Sequence, residues 1–416
     1  MKIRKLFVGI DVAKDKLDVN VLDADESVVL APMTFENRPS GWQELLDTLK
    51  PLNGKYGAIP MECGMESTAM FHEGVAHFLR SQNQLALKVH VINPLSIKRL
   101  GQAMLRNAKT DKADSRLIAL FLIRMKPASE YAPSREQKAL KEATRRRRRF
   151  VEDRSQECNR LHHLLHRHYP GYQKILGRAF TISLLKVLSD MQSPRAILDH
   201  SIENLASIST GSRHVIGAKI ATRIHEFARQ APEPQLPRST ELLIRLSARR
   251  ILEIQDHIDT LDECIAEMGK SIPVVALLRS IPGIGPVTAA TIAAEVGDIR
   301  RFPTKDKFVG YCGLYPIVWE SGTVKRKYRM TRQGNRWLKT ALLVVSGAAR
   351  QYNPQLVAFY DRLRSAGKST KAVGGALAAK LAHFCWAIMT KNESWSSEIA
   401  DKAILKAAAM VAVKPS

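Results

Sequence analysis

Cysteine is scarce in this chain and is placed where its common structural uses are excluded. The five cysteines are far apart and form no Cys-x-x-Cys pair: Cys63, Cys158, Cys264, Cys312 and Cys385. Their odd number and wide spacing argue against a disulfide framework and against a structural zinc site. We therefore expect reduced thiols, as in a cytoplasmic protein.

Long apolar runs are also lacking. No stretch of 18 consecutive apolar residues occurs, so we expect no membrane-spanning helix. The first apolar segment meets a charge again at Asp11, which is unlike a secretory signal peptide. These two absences favour a protein that works away from membranes.

Acidic residues are in the minority: 40 Asp and Glu face 64 Lys and Arg, giving a net charge of +24. Such an excess predicts a polyanionic partner, most often nucleic acid. The excess is uneven, because residues 271–416 carry 22 Lys and Arg against 8 Asp and Glu. This last third is therefore the strongest candidate for contact with phosphates.

The first 125 residues predict strands and helices in a distinctive order. Apolar alternation and short apolar runs indicate three strands, then a helix, a strand, a helix, a strand and further helix. The predicted segments are Leu6–Ala13, Leu17–Asp23, Val28–Phe35, Pro39–Leu52, Tyr56–Met61, about Met70–Arg80, Leu87–Ile92 and a helix from Ser96. This is the order of a ribonuclease-H-like (RuvC-like) α/β fold.

Four acids fall where such a fold gathers its active site. Asp111 and Asp114 lie one turn apart on one face of a predicted helix. Alone, they are equally consistent with acids that complement a helix dipole. Asp11 on the first strand and Glu62 or Glu66 near the fourth would complete a set of carboxylates. Such a set suits two Mg²⁺ or Mn²⁺ ions, because these hard cations prefer oxygen ligands.

The rest of the chain is predicted to be all-α. With 416 residues the chain is long enough for several domains. We predict a RuvC-like domain over 1–125, a helical or coiled-coil region over 126–270, a helical domain with a helix-hairpin-helix over 271–395, and a tail over 396–416. An irregular helical insertion is expected over 190–240.

Three basic or glycine-rich segments are candidates for nucleic-acid binding. The run Arg145, Arg146, Arg147, Arg148 and Arg149 is either a solvated helix face or a phosphate contact. Gly283 and Gly285 lie in a Pro-Gly-Ile-Gly turn, which is either a plain helical hairpin or a helix-hairpin-helix that approaches a phosphate. The third segment contributes six basic residues: Lys325, Arg326, Lys327, Arg329, Arg332 and Arg336.

Ser321 opens that third segment. It precedes a glycine, so its hydroxyl is expected on a tight turn among cations. A serine requires activation to act as a nucleophile, and no histidine lies nearby in sequence. From the residues alone an ordinary turn serine is the simpler interpretation, and a nucleophile stabilised by neighbouring cations is the alternative.

Together these segments resemble the insertion-sequence transposases that join an N-terminal DEDD domain to a C-terminal serine domain, the IS110 family of bridge-RNA-guided recombinases. The resemblance covers nearly the whole chain, least over 170–240. The motifs that carry it are Gly-Ile-Asp-Val-Ala-Lys at 9–14, Met-Glu-Ser-Thr at 65–68, Lys-Thr-Asp-Lys-Ala-Asp at 109–114, Ile-Pro-Gly-Ile-Gly-Pro at 281–286, Ser-Gly-Thr at 321–323 and Arg-Gln-Gly-Asn at 332–335.

The resemblance implies roles for particular residues. Asp11, Glu66, Asp111 and Asp114 would bind Mg²⁺ or Mn²⁺, and Ser321 would attack DNA phosphorus to form a covalent phosphoserine link. The family pattern selects Glu66, but it usually has glycine where this chain has Ala69, so Glu62 stays as an alternative ligand.

The resemblance also implies partners. These are DNA at the element ends and target, an element-encoded guide RNA, and further copies of the chain in a dimer or tetramer, in the cytoplasm at the nucleoid. Two other functions stay open: a RuvC-like nuclease or resolvase that uses water, and a non-catalytic nucleic-acid-binding scaffold.

Overall fold

The chain divides into two compact units, Met1–Ala132 and Pro133–Ser416. The computed structural model describes residues 5–56, 59–67, 70–82, 86–104, 111–127, 133–211, 214–232, 235–317 and 329–396. Within these ranges only the backbone is described for 53–56, 111–113, 211, 214 and 329. Most of the predicted middle region and the predicted C-terminal domain lie in the same unit, the second.

A five-stranded mixed sheet forms the centre of the first unit. Its strands are β1 (Leu6–Val12), β2 (Lys16–Asp23), β3 (Val28–Glu36), β4 (Met61–Glu66) and β5 (Leu87–Ile92). Their spatial order is β3-β2-β1-β4-β5. The first three strands pair antiparallel through short turns, whereas β4 and β5 pair parallel because a helix precedes each of them.

Helices cover both faces of this sheet. They are α1 (Pro39–Tyr56), α2 (His72–Arg80), α3 (Pro94–Ala103) and α4 (Asp111–Met125). The face that carries Val8 and Ile10 packs against apolar residues of α1 and α2. The opposite face carries Phe7, which packs against Ile118 and its neighbours on α4. The sheet is therefore a central layer between two layers of helix.

The fourth strand is displaced from its predicted position. We predicted Tyr56–Met61, but Tyr56 ends α1 and the strand is Met61–Glu66. This segment has two acids and a glycine, so it lacks the apolar composition of a buried strand. It is buried nonetheless, because Cys63 belongs to the core on one face while Gly64 leaves room for α4 on the other.

Two long antiparallel helices run through the start of the second unit, α5 (Arg135–His168) and α11 (Arg238–Lys270). Between them the chain forms a small helical insertion, with a buried core of its own against the ends of α5 and α11. Its elements are α6 (Tyr172–Leu176), α7 (Ile182–Asp190), α8 (Pro194–Leu198), α9 (Ile202–Ser207), β6 (Ser209–Gly211), β7 (His214–Val215) and α10 (Ala218–Arg229).

The remainder of the second unit packs around one apolar helix. The elements are α12 (Pro273–Arg279), α13 (Pro286–Val296), a 3-10 turn (Ile299–Arg301), α14 (Lys305–Cys312), β8 (Pro316–Ile317), β9 (Arg329–Met330), α15 (Arg336–Tyr352), α16 (Pro354–Ser365) and α17 (Thr370–Lys391). By length and composition alone α17 would be able to cross a membrane, but most of its apolar stretch is buried in the core, as in a core helix of a globular protein. A mixed α/β first unit and a mostly helical remainder confirm the coarse fold prediction.

Candidate active site

Two of the predicted acids lie side by side at the carboxyl ends of the neighbouring strands β1 and β4. The parallel pairing of β1 with β4 runs up to Ile10 and Met65, and Asp11 and Glu66 are the next residue of each strand. Aligned residues of neighbouring strands are roughly 5 Å apart and project to the same face. Both residues are half-buried. The two carboxylates therefore share one face at the carboxyl end of the strands.

Helix α4 crosses that face antiparallel to β1. A Cβ atom placed on Gly9 would lie 2.0 Å from the Ser115 carbonyl oxygen and 2.6 Å from the Ala119 amide nitrogen, so the helix backbone rests on this glycine. The C-terminal end of α4 reaches the amino end of β1, where β2 turns into β3. There the Arg124 guanidinium donates to both carboxylate oxygens of Glu26, at 2.7 and 2.8 Å, in the turn between β2 and β3.

The N-terminal turn of α4 consequently lies at the carboxyl ends of β1 and β4, which carry Asp11 and Glu66. Asp114 precedes by one turn Ile118, whose side chain packs on Gly64. Asp111 likewise precedes by one turn the Ser115 that rests on Gly9. One helical turn of 5.4 Å roughly equals the rise of two strand residues, about 6.6 Å. The backbones of Asp111 and Asp114 thus reach the level of the strand acids.

Glu62 lies at the other end of β4. It is four residues before Glu66, which separates the two by about 13 Å along an extended strand. The Lys5 ammonium donates to its carboxylate at 2.6 Å, and His90 Nε2 is 3.5 Å from its second oxygen. Geometry therefore agrees with the family pattern in favouring Glu66 over Glu62.

Asp18 is a neighbouring acid that sequence reasoning missed. It faces Asp11 across the pairing of β1 with β2 and is only 5% exposed. Its carboxylate accepts a hydrogen bond of 2.6 Å from Thr34 Oγ1 and forms an ion pair of 3.0 Å with Lys16. The signal was the alternation of Leu17, Asp18, Val19 and Asn20, which places polar residues on the α4 face.

The donor set fits a hard divalent cation. Asp11, Glu66, Asp111 and Asp114 offer only carboxylate oxygens, the ligands that Mg²⁺ and Mn²⁺ prefer. The described side chains of Asp11, Glu66 and Asp114 do not come together as a group that could hold a metal ion, and no other three His, Cys, Asp or Glu among the described side chains do so. The Asp111 side chain lies outside what the structure describes.

The predicted serine segment is anchored at both ends in the second unit. Ser321, Lys325, Arg326 and Lys327 lie outside the described residues, and Arg329 is described only by its backbone. The chain enters this segment from β8 and leaves it through β9. These strands pair antiparallel, with Pro316 opposite Met330 and Ile317 opposite Arg329. The ends of the segment that carries Ser321 are therefore held next to each other.

The Arg-Gln-Gly-Asn loop at 332–335 is held against the end of α14. Gly334 and Gly313 both have positive φ, at 103° and 69°, and a Cβ atom on either would collide with the backbone of the other loop. The amide of Asn335 donates to the Tyr311 carbonyl at 2.8 Å. Asn335 also caps α15, because its side-chain oxygen accepts from the amides of Trp337 and Leu338.

The five-arginine run is divided by the helix that carries it. Consecutive residues of an α-helix are rotated by about 100°, so the five cannot face one surface. Arg145 donates to both oxygens of Glu295, and Arg147 donates to both oxygens of Asp262. Arg146 lies over the Phe150 ring, with 4.6 Å from its guanidinium carbon to the ring centroid. The run thus joins α5 to α13 and α11.

The side chain of Glu295 is fully buried and was missed by sequence reasoning. Besides Arg145, it accepts a hydrogen bond of 2.7 Å from the Asn335 side-chain amide. The Tyr311 hydroxyl donates to its backbone carbonyl at 3.2 Å. This acid therefore connects α5, α13 and α14 to the Arg-Gln-Gly-Asn loop. A single carboxylate within an alanine-rich helix was the available signal.

The Pro-Gly-Ile-Gly turn joins α12 to α13, and its two glycines differ. Gly283 has φ of 92°, and a Cβ atom there would lie 2.3 Å from the Ala349 Cα, so its close approach is to α15. Gly285 is the N-cap of α13 and has open space around it. Only Gly285 leaves room for a phosphate, and the helix-hairpin-helix assignment stays a prediction.

Comparisons with known proteins match both units. A family model of DEDD transposases from IS110 elements, described as a transposase, matches residues 8–170. A second, described as transposase of the IS116/IS110/IS902 family, matches residues 275–361. The proposed acids lie in the first match and the proposed serine in the second.

Relatives align over almost their full length. The chain is 26% identical over 393 residues to the insertion element IS116 uncharacterized 44.8 kDa protein of Streptomyces clavuligerus, covering 92% of this chain and 94% of that protein. It is 27% identical to the mini-circle putative transposase for IS117 of Streptomyces coelicolor, covering 87% and 88%. It is 22% identical to the pilin gene-inverting protein of Moraxella bovis, covering 95% and 99%. The chain belongs to the IS110 family of insertion-sequence transposases.

Proposed function

We propose that this transposase cuts and rejoins DNA with a ribonuclease-H-like metal centre of Asp11, Glu66, Asp111 and Asp114 and with Ser321 as the nucleophile. The alignment of Asp11 with Glu66 beneath the N-terminal turn of α4 is the observation that carries this proposal. Bound Mg²⁺ or Mn²⁺ would supply positive charge to the scissile phosphate and the leaving oxygen.

The chain itself supplies the nucleophile and positive charge. The Ser321 Oγ attacks phosphorus, a new P–O bond to serine forms, and the P–O bond to the deoxyribose breaks. The serine proton is released to solvent and the departing oxygen takes up a proton. A DNA hydroxyl later attacks the phosphoserine and restores the serine, so no external energy source is required. Basic residues at 325–336 would stabilise the negative charge on the phosphate oxygens.

The partners carried by the family resemblance are part of the same proposal. DNA at the element ends and target is the substrate, an element-encoded guide RNA selects the sites, and a dimer or tetramer assembles in the cytoplasm at the nucleoid. The net charge of +24 supports polyanionic partners. The gene-inverting relative in Moraxella bovis is named for a DNA rearrangement, which supports recombination over simple cleavage. RNA that co-purifies with the protein and survives a salt wash would support the guide.

The decisive experiment is to trap a covalent protein–DNA adduct with Mg²⁺, using a duplex that carries the element end. We expect Ser321→Ala to abolish the adduct and Asp114→Asn to reduce it by at least about 10-fold. Asp15→Asn is the matched control, because Asp15 is exposed in the turn between β1 and β2 and should leave the adduct unchanged.

The competing function is a nuclease in which water attacks. Cleavage that persists in Ser321→Ala, with no adduct formed by the parent protein, would establish that function and refute the serine mechanism. Cleavage and adduct formation that survive Asp114→Asn would refute the metal centre.

A further inference from the structure

A cavity of about 410 Å³ opens at the start of α15. Four basic residues line it: Arg332, Arg336, Lys339 and Lys371. Sites that bind small ligands usually measure about 300–1,000 Å³. The cavity is therefore large enough for a backbone phosphate together with its sugar. Lys371 comes from the first turn of α17, and nothing in its local sequence singled it out.

The charges around this cavity are poorly neutralised. No acidic residue lines the cavity, and within the described ranges no carboxylate pairs with Arg332 or Lys371. Arg336 is 3.8 Å from a Glu152 oxygen and lies over the Trp337 ring. Because these four cations surround one space and have few carboxylates near them, they create a positive potential that favours an anion.

Two of the four basic residues are constrained, Arg332 through its loop backbone and Lys339 through its side chain. The contact between Gly313 and Gly334 fixes the backbone of the loop that carries Arg332. Lys339 donates to the Thr331 carbonyl at 2.7 Å, and Thr331 is itself buried. A preorganised set of donors loses less entropy when it binds its ligand than a flexible one does. The arrangement is thus more than a general excess of surface charge.

Met330 also lines the cavity, and it is the last residue of β9. The segment that carries Ser321 ends on this strand, so the cavity lies at the base of that segment. We propose that the cavity binds a backbone phosphate of the DNA strand that Ser321 attacks, with Lys371 as a positioning residue. This inference rests on the proposed function, and it assigns the site at which the substrate strand is held.

The test compares Lys371→Gln with Lys368→Gln in the full-length protein. Both lysines are exposed and three residues apart, but only Lys371 lines the cavity. Binding of a fluorescent 30-base-pair DNA duplex is measured by anisotropy over a range of NaCl concentrations. We expect Lys371→Gln to weaken binding about three- to tenfold and to reduce the magnitude of the salt slope by about 0.9. Lys368→Gln should change the affinity less than about twofold.

Three outcomes would overturn the inference. Parent-like DNA binding by Lys371→Gln would show that the cavity holds no phosphate. Equal losses in both variants would indicate a diffuse basic surface. A loss confined to a matched RNA duplex would assign the cavity to RNA.

Adduct formation separates this inference from the proposed function. If the inference holds, Lys371→Gln forms the adduct at a higher DNA concentration but to the same final yield. A parent protein that forms no adduct, while Lys371→Gln still loses DNA affinity, would refute the serine mechanism and leave a DNA site at the cavity. An adduct lost in Ser321→Ala, with binding unchanged in Lys371→Gln, would refute the cavity alone.

Discussion

Gly9 and Gly64 provide a matched pair of substitutions that tests how the acids of the first unit are brought together. The two glycines are aligned on β1 and β4 and both face α4. A methyl group on Gly9 would meet backbone atoms of Ser115 and Ala119 at 2.0 and 2.6 Å, where ordinary contacts begin near 3.4 Å. A methyl group on Gly64 would meet only side-chain tips, the nearest at 3.0 Å.

The difference between backbone and side-chain neighbours sets the expected magnitudes. Side-chain tips can yield by a few tenths of an ångström, so we expect Gly64→Ala to cost about 1 kcal/mol or less. In Gly9→Ala the backbone of α4 must retreat by about 1 Å, and we expect the upper end of overpacking costs, about 3 kcal/mol. For a unit of this size that loss lowers the melting temperature by about 10 °C, against less than about 4 °C for Gly64→Ala.

The same retreat would move Asp111 and Asp114 away from Asp11 and Glu66. We therefore expect Gly9→Ala to weaken Mn²⁺ binding, measured by calorimetry, by about 10- to 100-fold, as for substitutions of the groups that orient metal ligands. Gly64→Ala should bind Mn²⁺ almost as the parent does. Equal melting temperatures for the two variants would refute the packing of α4 on Gly9. A lower melting temperature with unchanged Mn²⁺ affinity would refute the placement of metal ligands on α4.

Three further predictions concern the second unit and the thiols. Glu295→Ala removes the buried partner of Arg145 and should lower the free energy of unfolding by about 2–4 kcal/mol, measured by thermal unfolding. The control Glu267→Ala breaks only the exposed pair with Lys270 and should lower it by less than about 1 kcal/mol. Equal losses in the two variants would contradict the network around Glu295. Burial lowers the pKa of Lys380 to about 8, so its protonated form opposes folding fully below pH 8 and progressively less towards pH 10.5. Lys380→Met should therefore raise the melting temperature at pH 7 but hardly at pH 10.5, and a gain independent of pH would contradict this cause. Burial raises the pKa of the Cys63 and Cys385 thiols to about 12, and it also raises the pKa of Cys312. At pH 8 a thiol reagent should therefore modify the exposed Cys264 first and Cys158 slowly, and it should modify the three buried cysteines only after denaturation. Peptide mapping of the modified protein checks this order.

Local pattern was sufficient for most elements, but it misplaced β4 and missed the short strands β6 to β9, which lie in the part of the chain that we predicted to be all-α. The strands β1, β2, β3 and β5 follow apolar alternation or short apolar runs, and the long helices follow helical spacing. β4 does not, because its Glu62 is neutralised by Lys5 and its Gly64 is required by α4. Both requirements arise from residues distant in sequence, so no local rule would find them.

The sequence did not show which charged residues are already paired within the folded protein. The five arginines from 145 to 149 were consistent in sequence with a solvated helix face or with a phosphate contact, and the structure shows that two of them form two-point ion pairs with Glu295 and Asp262. These partners lie more than one hundred residues away in the chain. A cation with a nearby carboxylate and a cation without one look identical in sequence, and they differ completely in their availability to DNA.

The sequence by itself determined the family and the concentration of basic residues near Ser321, and it predicted a set of acids with Glu62 or Glu66 as alternatives, because side-chain chemistry and motif spacing are written in the chain. Only the tertiary structure showed that Glu66 is aligned with Asp11, which arginines are already paired, and that Lys371 shares a cavity with Arg332. The physical reason is that distance and desolvation depend on packing between segments. Glu62 and Glu66 have the same side chain, so residue type does not distinguish them. In the structure they lie about 13 Å apart at the two ends of β4, and each end meets different partners.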